Sequence, residues 1–358
     1  MNKYDVIIVG GGASGVTCAI NLKKKDPSLK VLLLEQNDKV LKKVLKTGNG
    51  KCNLSNKNID GSHYHNYDAF KDYFNKFDAG KYFLDLGLIT KSDNQGRIYP
   101  YSEASSSVVN LLLYELEKEK IEVKCNYIVE KVERNDNYII NGEYSSKVLV
   151  IATGSNAQAK TNGYELAKSL NHKITKLVPV LTPIKVKEDI KSLAGLKVKC
   201  NLKVNSFNRC GELLFKDDAI SGILVLEASR YTKASDVISL DLVPDYSLSE
   251  LKEYLIDDKE IKLNGLVPKM LVKKINGDIG KLKDFRLTVD SLYGFSYSQI
   301  TRGGVTVDEL KETFESKINS NLYLIGEVVD VDGDCGGYNL NFAWLSGYFA
   351  AENIIKSI

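Results

Sequence analysis

The chain has 358 residues, 43% of them apolar, with 49 Lys plus Arg against 46 Asp plus Glu, which is ample for one large domain or two ordinary ones. Charge this evenly balanced, without a basic tail or stripe, argues against nucleic acid or an anionic membrane as the principal partner. No uncharged apolar run reaches the roughly 18 residues of a membrane span.

In chain order, the first element is the apolar run Tyr4 to Val9 (YDVIIV), closed by Gly10-Gly11-Gly12. Asp5 interrupts what would be a signal-peptide core, so a cytoplasmic protein is expected. A helical pattern through Ala19, Ile20 and Leu22 follows, until Asp26-Pro27 ends it; Val31 to Leu34 is a second apolar run, closed by Glu35. Strand, glycine turn, helix and strand make a βαβ unit whose strands are buried on both faces. Within it, Gly10-x-Gly12-x-x-Gly15 stands about 20 residues before Glu35. The first glycine permits the tight turn, the second admits a pyrophosphate close to backbone, and the third lets helix and strand pack closely. The helix N-terminus offers N–H groups to phosphate, and Glu35 can accept from a ribose hydroxyl. The motif points to a dinucleotide and leaves FAD and NAD open.

An aromatic series, Tyr64, Tyr67, Phe70, Tyr73, Phe74 and Phe77, predicts a helix packed in the core or between domains. Val109, Leu112, Leu113 and Leu116 give the stretch from Ser105 to Lys120 one buried helical stripe. Strands are predicted at 122–125, 127–133 and 138–140; Lys147 to Ile151 is another buried strand, ending at Ala152-Thr153-Gly154. From about Thr182 to Ile300 the pattern alternates, as at 196–207 and 285–300, with helical stretches near 221–231 and 248–275. Alternation means half-exposed strands, hence a different layer arrangement. The apolar run Asn321 to Ile325 then resumes the first pattern.

The six cysteines (Cys18, Cys52, Cys125, Cys200, Cys210, Cys335) form no CxxC pair and read as dispersed thiols. His63-x-His65 has no acidic or cysteine residue beside it in sequence and reads as a surface loop, so no metal site is expected. The C-terminal block contains Gly326-Glu327, then Gly336-Gly337-Tyr338-Asn339, then a helix carrying the small residues Ala343, Ser346, Gly347, Ala350 and Ala351. A carboxylate beside a glycine at a strand end suits a polyol, and glycines opening a helix present donors to negative charge. An NAD domain has no need of this second block, whereas FAD, with its ribityl chain and a flavin edge that carries charge when reduced, does.

On these motifs the sequence resembles the BaiN-like family of FAD-dependent flavoproteins and, more distantly, the two-domain flavoproteins that include fumarate reductases. The matching blocks run through the chain in order: IIVGGGASG (7–15), KVLKTGNGKCNLSN (43–56), GRIYP (96–100), VLVIATG (148–154), PVLTPI (179–184), ELLFKDDAISGILVLEASR (212–230), TRGGVTVDEL (301–310) and the stretch 315–351. Lys51, Arg302 and Ala219 stand where the family usually has arginine, a small residue and glycine, and the region from Asp241 to Asp284 is shortened.

The resemblance implies an α/β fold: a doubly wound Rossmann-type FAD-binding domain (1–182 and 301–358) with an inserted, mainly β domain (183–300) that closes over the isoalloxazine. It implies pyrophosphate on Gly10, Gly12, Ala13, Ser14 and Gly15, and adenosine on Glu35, Gln36 and the backbone at Val129. Lys43 and the loop Thr47, Gly48, Asn49, Gly50, Lys51, Cys52 and Asn53 would line FAD, with Ala152, Thr153 and Gly154 near the adenylate half. Gly326 and Glu327 would hold the ribityl chain, Asp332 would contact the cofactor, and Gly337, Tyr338, Asn339 and Leu340 would hold the isoalloxazine. Tyr338 and Arg302 are the catalytic candidates, with Arg97 and Tyr99 as further cavity residues. The expected reaction takes hydride from transiently bound NAD(P)H and reduces a small-molecule acceptor, for example an activated C=C. An amine-type oxidase and a non-catalytic or RNA-modifying flavoprotein are the alternatives. Oligomeric state is not legible.

Overall fold

Val6 to Val9 become the centre of a parallel sheet, each at most 5% exposed. The computed structural model describes residues 1–257 and 259–358. Strand Asn2–Val9 pairs with Val31–Leu34 on one side and Tyr144–Ile151 on the other, in registers Val6↔Val31 and Val6↔Val148. Glu122–Lys124 extends the first side, and Leu322–Leu324 lies parallel to the end of Tyr144–Ile151. A short antiparallel hairpin, Val132–Arg134 with Tyr138–Ile140, completes the described sheet. The connection from Asn2–Val9 runs to Val31–Leu34 on one side, whereas the much later strand Tyr144–Ile151 lies on its other side, so the strand order reverses at Asn2–Val9. The crevice at its carboxyl end, where Gly10 lies, is therefore the topological switch point at which such sheets bind ligands.

The chain divides into two compact units, Met1–Val178 with Ile300–Ile358, and Pro179–Gln299. In the first, helix Ala13–Lys25 packs against the C-terminal helix Tyr338–Ser357. Small residues make the approach possible: a Cβ on Gly347 would sit 2.3 Å from the carbonyl oxygen of Ser14. The second unit is a closed barrel in the order Ile184–Val186, Ala219–Ser221, Phe207–Phe215, Lys197–Val204, Val237–Asp241 and Phe285–Leu292. Along Lys197–Val204 the residues Val198, Cys200, Leu202 and Val204 point inward, the period-two pattern of a barrel wall. The architecture is thus a Rossmann-type α/β sheet together with a separate, mainly β unit. Among the described residues no helix is long and apolar enough to cross a membrane.

Several local expectations need correction. The predicted strand 127–133 survives only as Val132–Arg134, because the Asn141 side chain accepts from the N–H groups of Glu130 and Lys131 and donates to the Ile128 carbonyl, replacing a ladder. The helical stretch 248–275 is three short helices, Leu248–Tyr254, Lys259–Leu266 and Lys269–Ile275, the last two separated at Pro268. The alternating run from Phe285 stops at Leu292, and Tyr293 begins a turn region. The aromatic series does not share one helix: Tyr64 makes a β-bridge with Gly333, Tyr67–Phe70 is a 3-10 turn, and only Lys71–Lys76 is α-helical. Its rings nonetheless pack in the core, Phe70 on Phe314 and Tyr73 on Phe349 at 4.3 and 4.1 Å between centroids.

Candidate functional site

The glycine motif is shaped by packing at two positions and by open space at a third. A Cβ on Gly10 would lie 2.3 Å from the carbonyl oxygen of Ala152, and one on Gly15 would lie 2.0 Å from that of Gly10. A Cβ on Gly12 meets nothing within 4 Å, and the same holds at Gly154, at the end of the neighbouring strand. The two open glycines border the crevice where a ligand would approach backbone, and Gly12 caps helix Ala13–Lys25. Glu35 is buried. Its Oε2 accepts from the Gly11 N–H at 2.7 Å and its Oε1 from the Asn37 N–H at 2.8 Å, which holds the carboxylate beside the motif. Gln36 is exposed and donates to the Lys160 carbonyl; the Val129 carbonyl accepts from the Asn162 amide.

The other flank is built by the C-terminal block. Gly326, in the left-handed region at φ 69°, donates its N–H to Ser346 Oγ, and a Cβ there would reach within 2.4 Å of Ser14 Oγ. That locks the strand end to both helices. Glu327 then accepts from the Thr301 N–H at 3.1 Å and from Lys43 Nζ at 2.9 Å. The loop Thr47–Asn53 folds tightly, with Gly48, Asn49, Gly50 and Cys52 all at positive φ. Lys51 turns outward to Glu103. Burial pushes the Cys52 thiol up to about 11, which keeps it protonated rather than a redox thiolate.

Beyond Gly336 and Gly337 begins the 20-residue C-terminal helix. A Cβ on Gly337 would meet the Ser55 carbonyl oxygen at 2.3 Å and Asn53 Oδ1 at 2.7 Å, so the helix start is seated on the 53–55 segment. Tyr338 is buried with its ring stacked on His63, centroids 4.4 Å apart, and its carbonyl accepts from the Tyr64 hydroxyl. Asn339 braces the preceding turn by hydrogen bonds with the backbone of Gly333 and Asp334. Leu340 is partly buried against the core.

Three alternate carboxylates, Asp330, Asp332 and Asp334, are each buried and each face a basic side chain. Arg302 donates to both oxygens of Asp332 at 3.0 Å; His63 Nδ1 lies 3.0 Å from Asp334 and His65 Nε2 3.6 Å from Asp330. The expectation that His63 and His65 lack acidic neighbours is thus overturned, because the carboxylates arrive from the far end of the chain. Asp332, expected to contact the cofactor, is engaged by Arg302. His65, Asp330 and Asp332 place ligand atoms within 4.8 Å of one another. Asp332 is committed to Arg302, and Asp330 accepts from the Gly303 N–H and the Thr175 hydroxyl, which uses lone pairs a cation would need.

Sequence reasoning missed Tyr164 and Thr301. Both are buried, and the Tyr164 hydroxyl, beside Ser155 and Thr301, is pushed up by burial and by the nearby charge of Glu327. The Tyr164 Oη, Thr301 Oγ1, Thr153 Oγ1, Asn53 Oδ1 and Asn341 Nδ2 atoms have no hydrogen-bond partner in the structure. Buried polar atoms are nearly always paired in folded proteins. This group, on the segments that carry the open glycines, Glu327 and the helix start, fits a large polar cofactor such as FAD. Arg97 is paired with Asp93 at 2.7 Å, and Tyr99 is partly buried on the same strand, Arg97–Pro100.

Residues 4–353 match a family model described as the HI0933-like protein Rossmann domain. The chain is 32% identical to a 3-dehydro-bile acid delta(4,6)-reductase from Clostridium scindens, covering 98% of each. It is 28% identical to a ribosomal RNA dihydrouridine synthase from Escherichia coli, covering 100% of this chain and 99% of the relative. A flavocytochrome c3 fumarate reductase in its open conformation shares the fold with a TM-score of 0.52 at 16% identity, over 99% of this chain and 78% of that one.

Proposed function

This chain belongs to the HI0933-like Rossmann-domain family, and on that premise we propose that it is an FAD-dependent oxidoreductase which takes hydride from NAD(P)H and saturates a C=C bond conjugated to a carbonyl. The observation that carries the reaction class is a chemical one. Two relatives that cover the chain nearly end to end are named for different substrates. Both names describe the same step: loss of a double bond conjugated to a ketone in the 3-dehydro steroid, and loss of the C5=C6 bond conjugated to the C4 carbonyl in uridine.

In this reading Gly10, Gly12, Ala13, Ser14 and Gly15 hold the pyrophosphate, with Glu35 on the adenosine ribose. Lys43, Glu327 and the unpartnered hydroxyls of Thr153, Tyr164 and Thr301 serve the polar middle of the cofactor, and Asn53 with the N–H groups of the C-terminal helix serves the flavin edge. Bound FAD supplies two-electron hydride transfer between nicotinamide and acceptor. The protein's part is to cradle it, to orient the acceptor's conjugated carbonyl, and to provide the proton that completes saturation.

Anaerobic stopped-flow tests the reading. NADH or NADPH should bleach the flavin, and 2-cyclohexen-1-one or uridine-containing RNA should restore its colour. A flavin that neither nucleotide bleaches, and that an amine reduces instead, would establish the oxidase alternative. A second reading places the acceptor in ribosomal RNA, favoured by the end-to-end match to the dihydrouridine synthase. Reoxidation by RNA but not by free enones, with dihydrouridine detected by mass spectrometry, would decide for it.

A further inference from the structure

We propose that a cleft at the amino ends of strands Asn2–Val9 and Tyr144–Ile151 is a second ligand site, which takes a small phosphorylated polyol. The cleft holds about 310 Å³, and Lys3, Asp5, Lys30, Asn137, Ser145 and Lys147 line it. That volume is at the small end of the roughly 300–1,000 Å³ typical of ligand pockets. All these residues belong to the unit formed by Met1–Val178 and Ile300–Ile358. The crevice at Gly10 is at the other end of the same strand. Lys3 stands seven positions before Gly10, roughly 20 Å of extended chain, so a ligand here is neither the cofactor nor its acceptor.

The sheet itself assembles the cleft. Strand Tyr144–Ile151 begins polar and ends apolar, with Ser145, Ser146 and Lys147 preceding Val148 to Ile151. Lys3 is in register with Ser145, and Tyr4 with Ser146. Alternation along each strand therefore places Lys3 and Asp5 on one face and Ser145 and Lys147 on the same face of the neighbour. Lys30 joins from the segment that enters Val31–Leu34, its N–H donating to Asp5 Oδ2 at 2.9 Å. Asn137 comes from the turn between Val132–Arg134 and Tyr138–Ile140. Segments far apart in sequence thus converge on one place.

Their chemistry selects an anion. Among the described residues Lys3, Lys30 and Lys147 have no ion pair, so three ammonium groups share the cleft with one carboxylate, Asp5. The nearby Glu122 is engaged by the Tyr4 hydroxyl at 2.9 Å. Ser146 turns its hydroxyl back to the Val148 carbonyl at 2.8 Å, whereas the hydroxyl of Ser145, a residue only 3% exposed, has no partner among the described residues. Buried hydroxyls are ordinarily paired, and Ser145 is a wall of the cleft. Ammonium groups and a hydroxyl donor suit a phosphate monoester, whose oxygens only accept near neutral pH. Asp5 has its Oδ2 engaged by the Lys30 N–H and keeps Oδ1 as an acceptor, and the Asn137 amide both donates and accepts. These two groups suit hydroxyls, which makes the phosphate one end of a polyol.

Isothermal titration with ribose 5-phosphate, in the presence of excess FAD, tests the site. The wild type should bind it one to one, inorganic phosphate more weakly and ribose not at all. Replacing the three exposed lysines together, Lys3→Gln with Lys30→Gln and Lys147→Gln, should weaken ribose 5-phosphate about tenfold or more while leaving the melting temperature near that of the wild type. Ser145→Ala should cost about threefold, the order of one neutral hydrogen bond. Added salt should lower the wild-type affinity more than that of the triple variant. If the triple variant misfolds, Lys147→Gln alone decides, with a loss of about threefold or more expected. No binding to the wild type, or equal affinity in wild type and lysine variants, would overturn the proposal. So would a loss confined to Gly12→Ala, which would place the phosphate at the glycine motif, or binding of an RNA oligonucleotide but not of ribose 5-phosphate, which would make the lysines a docking face for a polymer.

Discussion

The carboxylate of Asp334 lies 3.0 Å from Nδ1 of His63, a residue 271 positions earlier in the chain. The pair joins the loop after the glycine-rich Thr47–Asn53 segment to the turn that opens the C-terminal helix. Asp332 with Arg302 and Asp330 with His65 repeat the arrangement one and two steps along the same run. Residues two apart on extended chain share a face, so a single stretch of backbone presents three buried carboxylates to three basic side chains.

Gly12 and Gly15 should separate ligand binding from folding. A methyl group on Gly12 meets no protein atom within 4 Å, while one on Gly15 would fall 2.0 Å from the Gly10 carbonyl oxygen. Gly12→Ala is expected to keep the wild-type melting temperature without FAD and to lose about tenfold or more in FAD affinity, because the methyl fills space a pyrophosphate needs. Gly15→Ala should cost about 1–3 kcal/mol in the apoprotein, since backbone cannot move aside as a side chain can. Thermal melts with and without FAD read both, and equal behaviour of the two variants would remove the basis for assigning the crevice to the cofactor.

What the sequence made legible follows from range. The βαβ unit could be read because strand, turn, helix and acid are contiguous, and the C-terminal strand and helix for the same reason. The partners of His63 and Glu35 illustrate the contrast: Asn37, which orients Glu35, is two residues away, whereas Asp334 reaches His63 only through the pairing of two distant loops. Tyr164 and Thr301 escaped notice because a tyrosine in a helix and a threonine in a short strand carry no local signal; only their burial without partners marks them. Asn141 shows how a strand pattern fails. Its side chain took the hydrogen bonds that a sheet neighbour would have taken.

His172 should make the fold acid-sensitive. Its ring is fully buried, with Nδ1 3.0 Å from Glu309 and Nε2 2.9 Å from Ser316 Oγ. Ser316 Oγ already accepts from the N–H groups of Ile318 and Asn319, so its own hydrogen points at Nε2, and the ring is neutral with its proton on Nδ1. Burial lowers the imidazole's affinity for a second proton, outweighing the opposite pull of Glu309. The unfolded chain therefore binds that proton first. Stability from this site is complete above the ordinary imidazole value, about 6.5, and is lost as pH falls below it. Denaturation midpoints measured between pH 7.5 and 5.5 should decline, and the decline should be shallower in His172→Gln. Parallel slopes in the two proteins would refute the assignment.

The thiols should react in an order set by burial. Cys52 is buried, with its thiol pushed up to about 11, and Cys200, also buried, is pushed up to about 12, whereas Cys210 is exposed. Only thiolate attacks an alkylating agent. Brief iodoacetamide treatment of the native protein at pH 8, followed by peptide mass spectrometry, should find Cys210 modified and Cys52 and Cys200 intact. Early labelling of Cys52 would show that burial does not hold its thiol protonated.

Arg302 and Asp332 yield the sharpest test of whether a sequence-nominated catalytic residue acts on substrate or on the fold. The Asp332 side chain is 1% exposed and receives two hydrogen bonds from a guanidinium that is 28% exposed. Removing the arginine takes both guanidinium hydrogen bonds from a buried carboxylate, a loss of about 3–5 kcal/mol in comparable pairs. Arg302→Ala should therefore unfold at markedly lower urea concentration, and Arg302→Lys, which keeps charge without the planar fork, should fall between it and the wild type. Replacing both partners by apolar residues, Arg302→Met with Asp332→Leu, should recover part of the loss, because no charge is then stranded. If Arg302→Ala instead keeps wild-type stability while acceptor reduction collapses, the guanidinium acts on substrate, and its pairing with Asp332 is secondary.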